Sequence, residues 1–188
     1  MEKPFPLDWQ EEIPLNAIPQ DGSDLEERIF LAITDDRLGY SFPRGLNFVV
    51  LATRTSGGVV LRVSFKCEIA GQCARCLGDA ITTVEGEDSF FISVGGDGIS
   101  EAKAEGFQEE EFWCNLDSWS DRIDLVPILW EVLASSIPFR LVCKDDCLGL
   151  CPSCGADLND GPCGCGGVVT DPRMEVLRLK LQGLGEEK

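Results

Sequence analysis

The chain has 188 residues, 44% of them apolar, and carries 33 acidic against 16 basic side chains for a net charge of −17. That size holds one ordinary domain plus a small module, and the acidity opposes a protein whose whole surface clamps nucleic acid, because phosphate is neutralised by Lys and Arg. There is no histidine, so a tetrahedral metal site must come from cysteine, with at most a carboxylate added. No apolar run approaches the roughly 20 residues of a membrane span. Met1–Asp8 has neither the charged nor the apolar part of a secretory signal, and no Arg-rich transit peptide is visible. The expected location is the cytoplasm, where thiols stay reduced and cysteine clusters usually hold metal.

Residues 1–44 contain five prolines and are expected to form an N-terminal extension packing on the core. Within them Asp24–Leu31 reads as either a helical turn or an edge strand. Leu46–Thr55 then leads through Ser56-Gly57-Gly58 into Val59–Ile69, where Leu61, Val63, Phe65, Cys67 and Ile69 alternate with Arg62, Ser64, Lys66 and Glu68. Period-two alternation of this length predicts a strand with one buried and one polar face, joined to its predecessor by a hairpin. Further strands are expected at Ala80–Val84 and Ser89–Val94.

From Arg37 to Cys76 there are six basic residues (Arg37, Arg44, Arg54, Arg62, Lys66 and Arg75) and one acid, Glu68, a local balance of 6 − 1 = +5. Such segregation can create a basic face on an acidic body, with Arg54, Arg62, Lys66 and Arg75 as the candidate RNA- or partner-binding residues. Arg62 and Lys66 stand four apart on one strand and so point the same way. The plainer reading is a strand with solvated Arg on its outer side.

Cys73-Ala74-Arg75-Cys76 falls between predicted strands. A redox Cys-x2-Cys should instead open a helix after a strand, so that the helix end lowers a thiol pKa. The pair is read first as an inert or structural turn and second as half of a metal site, completed by Cys67, Cys114 or a second copy of the chain. Gly95–Gly98 and the acidic Glu101–Glu111 form a solvated linker or long loop, after which Phe112–Cys114 and Trp119 can return to the core. Asp124 is the candidate N-cap of a helix that tolerates Pro127 in its first turn and stops at Pro138. Val126, Leu129, Trp130, Leu133 and Ile137 would bury one face.

Six of the ten cysteines follow, at 143, 147, 151, 154, 163 and 165. In Cys151-Pro152-Ser153-Cys154-Gly155 the proline fixes a turn and the glycine lets the backbone fold back towards the sulfurs. The spacing points to one structural zinc ion, with Cys143, Cys147, Cys151, Cys154 and Cys163 as candidate ligands. One ligand set takes Cys143 and Cys147 with the central pair. The other takes Cys147 and Cys163, similar in spacing to the structural zinc lobe of medium-chain alcohol dehydrogenases, and the turn residues Asn159-Asp160-Gly161-Pro162 favour it. A disulfide cluster would need an oxidising compartment, and iron–sulfur cysteine runs use other spacings. Asp171-Pro172-Arg173 opens a short C-terminal helix with Met174, Leu177 and Leu181 on one side, ended by Gly183.

The expected fold class is α+β: an antiparallel β-meander or barrel-like core, one central amphipathic helix, a small cysteine metal-binding module and a short C-terminal helix. The expected regions are 1–44, 45–138 and 139–188. A strand followed by Arg75-Cys76-Leu77, the acidic linker, the Ile123-Asp124-Leu125 helix start, Ile137-Pro138, the run from Cys143 to Asn159 and Asp171-Pro172-Arg173 together resemble the YceD family, named for large-subunit ribosomal RNA accumulation. The resemblance runs from about Leu46 onward and is most specific over Cys143–Cys165.

It implies a non-enzymatic role in making, processing or stabilising large-subunit (23S) ribosomal RNA. The implied partner is that RNA or a pre-ribosomal particle, with no membrane and no small-molecule substrate. The residues agree in showing no phosphate-binding Gly-rich motif and no nucleophile paired with a general base. A second reading is an acidic module that chaperones a basic ribosomal protein without touching RNA, since an acidic surface attracts basic partners. A third is a zinc-dependent redox switch.

Overall fold

The alternating apolar positions become one face of a five-stranded sheet in a computed structural model of the chain, which describes residue 6, residues 8–33, 38–95 and 112–165, and residue 174. In chain order the strands are β1 (Glu12–Pro14), β2 (Asp24–Leu31), β3 (Leu46–Arg54), β4 (Gly58–Gln72), β5 (Asp79–Val94), β6 (Phe112–Leu116) and β7 (Arg122–Asp124), followed by helix α1 (Val126–Ser136). The expected acidic linker, the C-terminal helix and Arg37 lie outside the described residues. Two compact units are present, Met1–Gly71 with Ala80–Leu141, and Gln72–Asp79 with Val142–Lys188.

In the first unit the main sheet has the order β2-β3-β4-β5-β6. β2 pairs antiparallel with β3, and β3 with β4. Asp24–Leu31 is therefore an edge strand and not a helical turn. The last pair departs from a meander, because β6 runs parallel to β5, so the sheet is mostly antiparallel and does not close into a barrel. β5 also fuses what reads as two strands into 16 residues. Its middle, Glu85–Asp88, is exposed apart from a half-buried Gly86, which interrupts the apolar pattern while the strand continues through it.

Pairing register carries the core. Leu46, Phe48, Val50 and Ala52 of β3 stand opposite Cys67, Phe65, Val63 and Leu61 of β4, and all eight are buried. The Phe48 and Phe65 rings lie 5.4 Å apart. Trp9 meets both Phe48 and Trp130 edge-on, at 6.4 and 6.0 Å, and its indole N–H donates to the Ala32 carbonyl at 3.0 Å. Edge-to-face contacts of this kind add about 0.5–1.5 kcal/mol beyond their buried area.

α1 buries Val126, Ile128, Leu129, Val132 and Leu133, while Trp130 and Ile137 are only half-buried. The Asp124 carboxylate accepts from the Val126 N–H at 3.0 Å, so it serves the first turn although it precedes the N-cap by one residue. The helix approaches the sheet at Gly86, where a Cβ would fall 2.1 Å from the Ser136 hydroxyl and 2.6 Å from the Phe65 ring. A separate two-stranded sheet joins β1 to β7.

Candidate metal centres

The second unit is built from two Cys-x2-Cys turns and the segments that close on them. Between β4 and β5 the Cys73 N–H donates to the Gly78 carbonyl (2.8 Å), the Leu77 N–H to the Cys73 carbonyl (3.0 Å), and the Arg75 N–H to the Cys73 sulfur (3.4 Å). These bonds hold the Cys73 and Cys76 thiols on one side of the turn. The closing segment is Cys143–Cys147, curled by a Cys147 N–H bond to the Lys144 carbonyl at 3.1 Å.

Arg75 ties the halves together. Its guanidinium donates to the carbonyls of Asp145 and Cys147 at 2.9 and 3.0 Å, while its own carbonyl accepts from the Leu150 N–H at 3.2 Å. Gly149 permits that approach, with φ of 74° and room for a Cβ only 3.0 Å from the Arg75 oxygen. As a result Cys73, Cys76, Cys143 and Cys147 place their sulfurs within 4.8 Å of one another.

Two sulfur–sulfur separations in this group are 3.8 Å (Cys73–Cys147) and 3.7 Å (Cys76–Cys143). Four thiolates set tetrahedrally at about 2.3 Å from one ion stand about 3.8 Å apart. The spacing therefore fits a single tetrahedral ion. A multi-iron cluster would hold its thiolates farther apart, since iron and sulfide atoms would lie between them.

Cys151, Cys154, Cys163 and Cys165 form a second group with the same property. Its turn is held by bonds from the Cys151 N–H to the Ala156 carbonyl (2.8 Å), the Gly155 N–H to the Cys151 carbonyl (2.9 Å) and the Ser153 N–H to the Cys151 sulfur (3.4 Å). The Asp157–Pro162 loop folds back as its turn residues predict, anchored by the Leu158 N–H on the Gly149 carbonyl at 2.9 Å. It delivers two different things. The Asn159 amide donates to the Cys147 sulfur at 3.4 Å, and Cys163 arrives beside Cys151 and Cys154.

Neither expected ligand set, Cys151 and Cys154 with Cys143 and Cys147 or with Cys147 and Cys163, is brought together; the cysteines gather instead in two groups of four. Cys73, Cys76 and Cys165 join the candidate ligands. Sequence spacing identified the local pairs, but it could not show that a turn 67 residues upstream of Cys143 (76 to 143) meets it in space. Cys67 belongs to neither group. It lies in the sheet core, where burial pushes its thiol up to about 11, which suits an inert packing residue.

Each group holds at least one thiol already disposed to ionise. The backbone N–H of Cys76 leads in holding Cys73 down to about 6, and that of Cys154 does the same for Cys151. Asn159 lowers Cys147. Neighbouring sulfurs push Cys143 and Cys165 up to about 12, led by Cys147 and Cys154 respectively. Four thiols this close cannot all shed protons without a cation among them, and a divalent ion held there would supply that charge.

The four candidate partner-binding cations are dispersed. Arg62 and Lys66 share the outer sheet face and pair with Asp24 at 3.2 Å and Glu85 at 3.3 Å. Arg54 has the opposite strand parity and lies over the Trp119 ring at 3.4 Å. Arg75 belongs to the cysteine unit, where its exposed guanidinium donates through one nitrogen to the two carbonyls described above.

Residues 61–180 match the family described as large ribosomal RNA subunit accumulation protein YceD. Uncharacterized proteins of Mycobacterium bovis and Mycobacterium tuberculosis are each 31% identical over 107 residues, which is 57% of this chain and 48% of theirs. The chain thus aligns with about half the length of these curated relatives. No solved structure matches. With Cys73–Cys76, Cys143–Cys165 and most of the sheet inside the matched span, the chain belongs to the YceD family of large ribosomal RNA subunit accumulation proteins.

Proposed function

We propose that the chain supports the synthesis, processing or stability of large-subunit ribosomal RNA as a cytoplasmic binding factor, without catalysis of its own. Family membership carries this reading. A non-catalytic role is supported by the use of the thiols: eight of the described cysteines are gathered in fours, an arrangement that favours structure over nucleophilic chemistry. In this reading the metal is zinc, and direct contact with RNA falls to the outer sheet face around Arg62 and Lys66.

One observation favours the second reading, an acidic surface that holds a basic ribosomal protein. Besides Arg62 and Lys66, Arg44 also stands against an acid, Glu68, at 3.0 Å. Cations already matched by carboxylates present little net positive field to phosphate. Exposed pairs are worth only about 0–1 kcal/mol, however, so an RNA backbone could displace the acids at small cost.

Ultraviolet crosslinking of tagged protein in growing cells, with sequencing of attached RNA, tests the choice. Direct contact predicts reads concentrated on one region of large-subunit RNA, lost on changing Arg62 and Lys66 together to Glu. Background RNA with co-purified basic ribosomal proteins would instead establish the acidic chaperone.

A further inference from the structure

The two Cys-x2-Cys turns are the same structure made from different sequences. In both, the first cysteine's N–H reaches the carbonyl five residues on, and its carbonyl accepts from the N–H four residues on. In both, its sulfur receives the N–H two residues on at 3.4 Å. Even the fifth position agrees, since Leu77 (φ 61°) and Gly155 (φ 73°) both take the left-handed conformation. A leucine rarely adopts it, so something must hold it there. Within the turn Leu77 is 56% exposed, and burial of its side chain is not that constraint.

We infer that the chain binds two zinc ions, one per turn, and that the ion at Cys73, Cys76, Cys143 and Cys147 is a staple between segments far apart in sequence. Each turn supplies two thiolates and backbone N–H groups aimed at sulfur. Each needs two more thiolates, and each has them within 4.8 Å. The sources differ. Cys163 and Cys165 come from the loop immediately after the second turn, whereas Cys143 and Cys147 reach the first turn from across the whole of β5, β6, β7 and α1.

The Arg75 clamp is what this staple requires, because it fixes the backbone of the closing segment against the turn that bears the first pair. Arg75 is a positioning residue here, and Asn159, donating to the Cys147 sulfur, plays the outer-shell role that orients a ligand. Divalent binding releases a proton from each thiol still protonated, leaving four thiolates and one dication per site, with no electron transferred. Zinc suits this donor set because it takes four thiolates tetrahedrally and has no redox chemistry of its own.

The test is metal content of the full-length protein, purified under reducing conditions and counted by inductively coupled plasma mass spectrometry. Two zinc per chain are expected, with iron at background. Cys73→Ser and Cys154→Ser should each leave one, and Cys67→Ser should leave two. One zinc in the unaltered chain, iron in place of zinc, or two zinc after Cys73→Ser would overturn the proposal. Should Cys73→Ser fail to fold, cobalt(II) titration of the unaltered metal-free chain decides: thiolate-to-cobalt charge-transfer absorbance must rise linearly to two equivalents. A break at one equivalent would overturn it.

Discussion

The sheet unit and the cysteine unit reach order by different means. In the first, Leu46, Phe48, Val50 and Ala52 interlock with Leu61, Val63 and Phe65 beneath α1, so hydrophobic burial opposes the entropy of the chain. In the second, among the described residues from Val142 onward, the buried hydrophobic side chains are cysteines, Cys147 and Cys151. Turns, backbone bonds and sulfur stand where a core would be. The lesson is that a segment too small to bury enough apolar surface can be ordered by ligand geometry, provided an ion is present.

Removing metal should break this contrast most visibly. Structural zinc contributes about 10–16 kcal/mol to zinc-finger peptides at neutral pH, far more than the cysteine unit can recover from packing. Treating the full-length protein with a strong chelator should therefore expose Val142–Lys188 to protease within minutes and leave a resistant fragment containing β2–β4. Degradation of the entire chain at one rate would show that the two units are not separately stabilised.

The converse perturbation acts on the sheet. Phe48→Ala removes a ring that is 1% exposed and should cost about 3–5 kcal/mol, read as a lower urea midpoint of tryptophan fluorescence. Zinc content should not change. Gly58→Ala should cost less, about 1–3 kcal/mol, because a Cβ there would fall 2.0 Å from the Ile92 carbonyl and the backbone must yield. An unaltered midpoint in either variant would contradict the packing described.

Arg75→Ala sharpens the comparison at the ligand level. Loss of outer-shell support typically weakens metal binding 10–100-fold. Chelator competition should show one of two zinc ions leaving that much more readily, with the other unaffected. Both carbonyls accept from one guanidinium nitrogen, Nη1; Arg75→Lys keeps the charge on a shorter side chain without that planar group, so it should restore only part of the affinity. Equal weakening of both ions, or full rescue by lysine, would assign Arg75 a general electrostatic role instead.

These differences also explain what was legible in sequence. The β3–β4 pair was readable because alternation reports burial directly: Leu61, Val63, Phe65, Cys67 and Ile69 all face inward. The Cys151–Gly155 turn was readable for the same local reason, a Cys-x2-Cys closed by glycine, whereas the left-handed Leu77 of the first turn has no such signal in the sequence. The partnership of Cys76 with Cys143 was not readable, because it depends on where β5 to α1 return the chain, and no local pattern records that. Arg75 has a role that its charge does not announce. One guanidinium nitrogen donates to two carbonyls of a segment distant in sequence. The parallel β6 was hidden because an acidic stretch separates it from β5, so adjacency gave no hint of direction.

The smallest effect isolates the backbone of the two turns. Leu77 and Gly155 occupy equivalent left-handed positions, and a Cβ at Gly155 would meet nothing within 4 Å. Gly155→Ala should therefore cost only the conformational penalty, about 1 kcal/mol, with no clash. Leu77→Gly relieves a strain of about 1–2 kcal/mol but gives back about 0.5–1 kcal/mol in chain entropy, and the half-exposed side chain forfeits little burial. The expected result is a first site as tight as before or slightly tighter, beside a weakened second site in Gly155→Ala. Substantial loss of the first ion in Leu77→Gly would mean that the leucine side chain, and not the turn's bonding, holds Cys73 and Cys76 in place.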